Sequence, residues 1–307
     1  MQQVIASLSG QFHFLDLPDP DEWIMPGVQW GRYEHPLTPA FWVSQAWMSE
    51  DAVQGGFRLG RSLAEEVVAC LLGGHGAPAE IGLAAFRRVC KELRRNDSVT
   101  LPSHVLEEIL LEPLSLNGRL VRYRFARQRA KYLADALEGL RYIDESMFDD
   151  VALREALCLL PGIGPKTASW IVRNRRASDQ VAILDVHIVR ACGLMGLFPE
   201  KANPAQHYRD LEQRFLAFCS RTNTRASVLD AVIWGTMRNI SGRLMRLLVD
   251  GTISTVENHS PHKAGGRKCL AAVVHGAIGP TKEDREGERL QVEAAQVGLG
   301  HLVPIPA

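Results

Sequence analysis

The 307-residue sequence predicts a mainly α-helical protein, and three observations carry that prediction. Apolar residues recur at helical spacing in eight stretches. Turn signals separate those stretches. No set of segments alternates apolar and polar residues as the strands of a half-buried sheet would. A chain of this length supports one large domain or two lobes.

The elements follow in order. Residues 1–61 are rich in Pro and aromatics without a clear period and form a segment of their own. Ser62–Leu72 places apolar residues at Leu63, Val67, Val68 and Leu71, with Glu65 and Glu66 near its start, as an amphipathic helix does. Ile81–Leu93, Val105–Leu111, Phe125–Leu140 and Val151–Leu160 repeat that spacing, as do Ile183–Leu194, Tyr208–Cys219 and Ser227–Arg238. Breakers lie between them: the glycines of 73–76, Pro102-Ser103, Asn117-Gly118, Pro161-Gly162 and Pro199. Residues 62–249 read as one helical domain. Residues 250–307 read as a Gly-rich polar tail with little packed order.

Composition bounds the function. The chain is 46% hydrophobic and 23% charged, a globular balance that excludes collagen-like and largely disordered classes. No apolar run approaches the roughly 20 residues that span a bilayer. The first residues lack a basic n-region, so no secretory signal is expected and a cytoplasmic place is, nucleoid-associated in a bacterium. The six cysteines form no CxxC pair, which argues against a zinc ribbon. Net charge is zero, yet it is unevenly spread. Residues 1–56 hold seven acids against the single base Arg32, whereas 117–131 hold Arg119, Arg122, Arg124, Arg127, Arg129 and Lys131 and no acid. Such a basic run is either a solvated helix face or a polyanion contact.

The most specific stretch is Ala156–Asn174, ALCLLPGIGPKTASWIVRN. A helix ends near Leu160, Pro161-Gly162-Ile163-Gly164 turns, and Pro165 suits the first position of a second helix. Gly162 and Gly164 leave backbone N–H groups unobstructed at a helix N-terminus, which binds phosphate without reading sequence. The stretch resembles the helix-hairpin-helix motif of DNA-binding proteins. Lys166 follows the turn directly, and Asp185 stands 19 residues after it in Leu184-Asp185-Val186-His187. Hairpin, lysine and aspartate in that order resemble the helix-hairpin-helix DNA glycosylases, particularly their 8-oxoguanine glycosylase/lyase branch. The resemblance covers roughly 62–240. It implies a two-lobed helical glycosylase fold, Lys166 as nucleophile and Asp185 as the second catalytic residue.

The resemblance also implies a reaction. A glycosylase takes the target base out of the stack. An amine at C1′ displaces the base and leaves a Schiff base, from which β-elimination nicks the strand; water and hydroxyls form no imine. A free lysine is mostly protonated at neutral pH, and partial burial and a helix N-terminus both favour the neutral amine. Asp185 stabilises the positive charge that develops on the sugar and also suits a helix cap. His187 contacts phosphate or supports the hairpin, and His75 is placed to fill the space left by the base. The basic run raises Arg122, Arg124, Arg127, Arg129 and Lys131 to DNA contacts beside Gly162 and Gly164. Trp30, Trp42, Gln45, Trp47, Asp230 and Trp234 are the base-pocket candidates, since a flipped base is held by stacking and edge hydrogen bonds.

Three cysteines, Cys192, Cys219 and Cys269, follow Asp185 at wide spacing, which does not match the iron–sulfur branch of the superfamily. No cofactor is expected, although the hairpin admits a monovalent cation, and a monomer acting on double-stranded DNA is expected. The function expected first is excision of an oxidised purine, 8-oxoguanine before others. The alternatives are a glycosylase for another damaged or modified base and a helix-hairpin-helix module that binds DNA without chemistry.

Overall fold

The computed structural model describes residues 1–248 apart from Ser9, 51–55 and His75. By their contacts, the described residues form two compact units, one of 1–50 with 184–248 and one of 56–183. The sequence boundaries at 61/62 and 249/250 follow composition and resemblance, whereas this division follows contacts. The tail from 249 onward lies outside the described residues, as does His75.

The chain opens with an antiparallel hairpin, β1 (Gln2–Leu8) and β2 (Gln11–Leu17), in which Val4 faces Leu15 and Ile5 faces Phe14. Val4, Ala6 and Leu17 are buried, while Ile5, Phe12 and Phe14 are exposed. These strands lie in the segment to which the sequence assigned no element, and the chain remains mainly helical. Apolar residues on the outer face hide the alternation that marks a half-buried strand. A short pair follows, β3 (Trp23–Met25) and β4 (Val28–Gln29).

Helix α1 (Pro39–Ser49) is a second element that the periodicity missed. It is buried on most sides and has no polar stripe to give it a period. Its start is conventional: the Thr38 hydroxyl accepts the Phe41 N–H at 3.1 Å, and Pro39 fills the first position.

The other unit contains α2 (Leu63–Leu72), α3 (Ala79–Arg95), α4 (Ser103–Leu111), the hairpin β5 (Leu114–Leu116) and β6 (Arg119–Val121), α5 (Ala126–Gly139), α6 (Asp150–Cys158) and α7 (Pro165–Arg176). Side-chain caps start two of these helices. Ser62 accepts the Glu65 N–H, and Asp149 accepts the Ala152 N–H at 2.7 Å. One core joins the helices through residues such as Val68, Leu106, Leu133, Leu157 and Ile171. Each such side chain contributes about 1.5–3 kcal/mol by leaving water.

A buried carboxylate anchors α7 in this unit. Glu66 of α2 is fully enclosed and accepts the N–H groups of Leu59 and Gly60 and the Asn174 side-chain amide at 2.9 Å. Burial pushes its carboxyl above the usual range, and these donors hold it back. Glu66 thereby ties the segment before α2 to the C-terminal end of α7.

The chain then completes the first unit with α8 (Val186–Leu194), α9 (Pro204–Arg221), α10 (Ala226–Met237) and a helical stretch over 242–248. The expected start of α8 at Ile183 is corrected to Val186. Residues 181–184 are buried but not helical, because the helix begins at the cap formed by Asp185. Helix α10 packs against α1, α8 and α9.

Candidate active site

The hairpin forms as its residues require. The Leu160 N–H closes the last turn of α6 onto the Leu157 carbonyl, and the Ile163 N–H returns to the Leu160 carbonyl at 3.1 Å. Ile163 is buried, which pins the turn to the core. Gly162 has φ +79°, and a Cβ there would lie 2.7 Å from the Tyr132 ring of α5. A side chain at 162 would therefore meet both a left-handed backbone, costing about 1–2 kcal/mol, and a ring that fills the space. Gly164 is different: it has an ordinary φ of −94°, and nothing lies within 4 Å of where its Cβ would stand.

Gly164 is the N-cap of α7, and no side chain caps that helix. The N–H groups of Gly162 and Gly164 find no acceptor among the described residues. Lys166, the second residue of α7, is half-buried beside these exposed donors. The local arrangement is a helix N-terminus with unpaired backbone N–H groups, of the kind that suits an anion, and a lysine on its first turn.

Asp185 is the N-cap of α8. Its Oδ1 accepts the N–H groups of His187 at 2.8 Å and Ile188 at 3.0 Å. Its Oδ2 has no hydrogen-bond partner among the described residues. The carboxylate thus holds the helix with one oxygen and presents the other. His187 is half-buried, with Nδ1 enclosed and without a partner. Lys166 and Asp185 belong to different compact units.

The other predicted residues are distributed as follows. Arg122, Arg124, Arg127 and Lys131 are exposed, and Arg129 is half-buried. Arg127 and Lys131 line an open groove of about 960 Å³ between α4 and α5, with His104, Leu111, Phe125 and Gln128. Trp30 is buried and Trp42 fully enclosed, with its indole N–H lacking an acceptor. Gln45 and Trp47 on α1 are half-buried; Asp230 on α10 is buried, and the half-exposed Trp234 stacks under Arg238 at 4.4 Å. Helices α1, α8 and α10 bring these candidates into the unit that holds Asp185.

Phe125 escaped the sequence reading. It precedes α5 in the left-handed conformation, φ 72°, and is 43% exposed. Arg124 lies over its ring at 5.1 Å, and a Cβ on Gly76 would lie 2.8 Å from that ring. A bulky residue with positive φ is strained, and strain of this kind collects at functional sites. The sequence carried one signal, an aromatic inside a run of arginines.

Among the described residues no group of three or more His, Cys, Asp or Glu side chains is placed to hold a metal ion. No helix of the described residues is long and apolar enough to cross a membrane.

Residues 61–224, more than half of the chain, match the family model for 8-oxoguanine DNA glycosylase with the helix-hairpin-helix fold. The chain belongs to the 8-oxoguanine DNA glycosylase family. This family membership covers α2 to α9 and includes Lys166, Asp185, His187 and the basic run. It leaves out 1–60 and α10, which carry every base-pocket candidate.

Solved members of the 8-oxoguanine DNA glycosylase family resemble the chain. The 8-oxoguanine DNA glycosylase of Methanocaldococcus jannaschii is 27% identical with a TM-score of 0.50, over 66% of this chain and 96% of that one. That of Thermotoga maritima is 26% identical with a TM-score of 0.46, over 62% and 86%. No curated protein matches the chain. The fold is the mainly helical one of the helix-hairpin-helix glycosylases.

Proposed function

We infer that this glycosylase removes 8-oxoguanine from double-stranded DNA through a Schiff base at Lys166 and then nicks the strand. The observation that carries the reading is Lys166 on the first turn of α7, directly after an N-terminus that is uncapped and unobstructed at Gly164. A DNA phosphate bound by those N–H groups brings the adjoining sugar to the amine. The Nζ lone pair attacks C1′; the bond to the base breaks, and its electrons leave with the base, which takes up a proton. Ring opening gives the imine. Loss of the 2′ proton then expels the 3′ phosphate. Asp185 Oδ2 offers a negative charge to the cationic sugar of the first step. Phe125, exposed next to Arg124, supplies an apolar wedge for the stack.

The test is a set of duplexes with one defined lesion each, incubated with the protein and borohydride. Covalent trapping on the 8-oxoguanine duplex first and strongest supports the reading. Trapping on another base only moves the substrate, and no trapping with any duplex leaves a DNA-binding module.

Two further results are expected from how DNA is gripped. A Cβ at Gly164 meets no protein atom, so Gly164→Val should cost only the modest stability of a poorer N-cap while weakening DNA binding by excluding a phosphate from the backbone. Reversing the exposed Arg127 and Lys131 to Glu should weaken binding by reducing counterion release. The slope of log K against log salt flattens by roughly 0.9 for each phosphate that is no longer neutralised. Both variants should affect damaged and undamaged duplexes alike, since phosphate contacts carry no base information. Titrations with both duplexes at several salt concentrations check this. An unchanged salt slope would make the Arg127–Lys131 face a solvated one.

A further inference from the structure

We propose that the β5–β6 hairpin is a second DNA contact, an arm that enters the minor groove beside the lesion. The hairpin is built to project. Asn117 and Gly118 both have positive φ, 48° and 75°, as a tight two-residue hairpin turn requires. Nothing lies within 4 Å of a Cβ at Gly118, so the tip stands clear of the rest of the unit. The pair Leu114 and Val121 faces the body, with Leu114 only 3% exposed. The opposite pair, Ser115 and Leu120, faces away, and Leu120 is 76% exposed.

The chemistry around Leu120 selects the occupant. Arg119 and Arg122 are exposed and have no acidic partner among the described residues, and Arg124 makes only its stacking contact with Phe125. An apolar side chain among unpaired guanidiniums fits poorly into water and poorly into an apolar partner. It fits a polyanion with a narrow, apolar-walled groove, where arginines follow the negative potential and an aliphatic side chain wedges against a base step. The arm is continuous with the face already described: residues 120–125 lead into α5, whose Tyr132 covers Gly162. From Tyr132 to Leu120 the chain covers at most about 30 Å, or roughly 9 base pairs of duplex.

The proposal needs the DNA-binding face but not the chemistry of Lys166, so it is tested on undamaged DNA with the full chain. The probe is a duplex of about 25 base pairs, unmodified, with inosine for guanine, or with 7-deazaguanine for guanine. Inosine removes an amino group from the minor groove only, and 7-deazaguanine alters the major groove only. The wild-type chain is expected to bind the inosine duplex more tightly than the unmodified one and to be indifferent to 7-deazaguanine. Leu120→Ser should lower affinity by about 5-fold and abolish the inosine preference without changing the salt slope, because no cation is removed. Arg122→Gln should flatten the slope by roughly 0.9. Unaltered affinity and inosine response in Leu120→Ser would overturn the proposal, as would a response to 7-deazaguanine instead. A wild-type chain that binds none of the three duplexes would overturn the DNA-binding reading and the arm with it.

Discussion

Lys166→Gln is expected to abolish both base release and strand nicking while leaving duplex affinity within a few-fold of wild type. Glutamine is polar and one atom shorter than lysine, and its amide cannot form an imine. The phosphate grip proposed for the hairpin is made by backbone, and Gly162, Ile163 and Gly164 do not depend on the lysine. Lys166 is half-buried on the first turn of α7, so the exchange removes little packing. Single-turnover assays on an 8-oxoguanine duplex, with borohydride trapping beside them, measure the loss. A variant that nicks at the wild-type rate would remove Lys166 from the chemistry.

Asp185→Asn should reduce the single-turnover rate on the order of 10²-fold, the usual size of an electrostatic stabilisation removed from a reacting centre. The substitution separates two roles of one side chain. Asparagine caps helices about as well as aspartate, so its Oδ1 can still accept from His187 and Ile188 and stability should change little. What disappears is the charge on the other oxygen. Thermal melts read the first role and the rate of base release reads the second. A variant that melts early and cleaves normally would mark Asp185 as a cap alone.

Much of this fold is legible in the residues themselves. The helices with one apolar stripe can be read from spacing, and the hairpin can be read from Pro161 to Lys166 because each residue there has a backbone reason. The elements that escape lack the contrast on which periodicity depends. Helix α1 is apolar on nearly every side. The β1–β2 hairpin shows Phe12 and Phe14 to solvent, so its pattern looks unpatterned. Asn117-Gly118 indicates a turn, but strands of three residues are too short to announce themselves. Glu66 reads as a surface acid in a helix, and only tertiary contacts with Leu59, Gly60 and Asn174 show it buried.

The site divides in the same way. Lys166 and Asp185 stand out because a motif surrounds them. Phe125 and Tyr132 do not, since their roles come from a left-handed backbone and from a ring filling the space above a glycine 30 residues away. The base-pocket candidates rested on residue type alone, which cannot separate the enclosed Trp42 from the half-exposed Trp47.

The double duty proposed for Asp185 has a consequence for temperature. Its carboxylate is oriented by the two N–H groups at the first turn of α8, so its rotamers are already restricted by folding and little entropy remains to be lost when the substrate arrives. The same bonds make that orientation only as durable as the end of a helix, and helix ends open long before a core does. If Asp185 acts as proposed, warming is expected to loosen its carboxylate before the α2–α7 core melts, so that activity fades in a protein that is still folded.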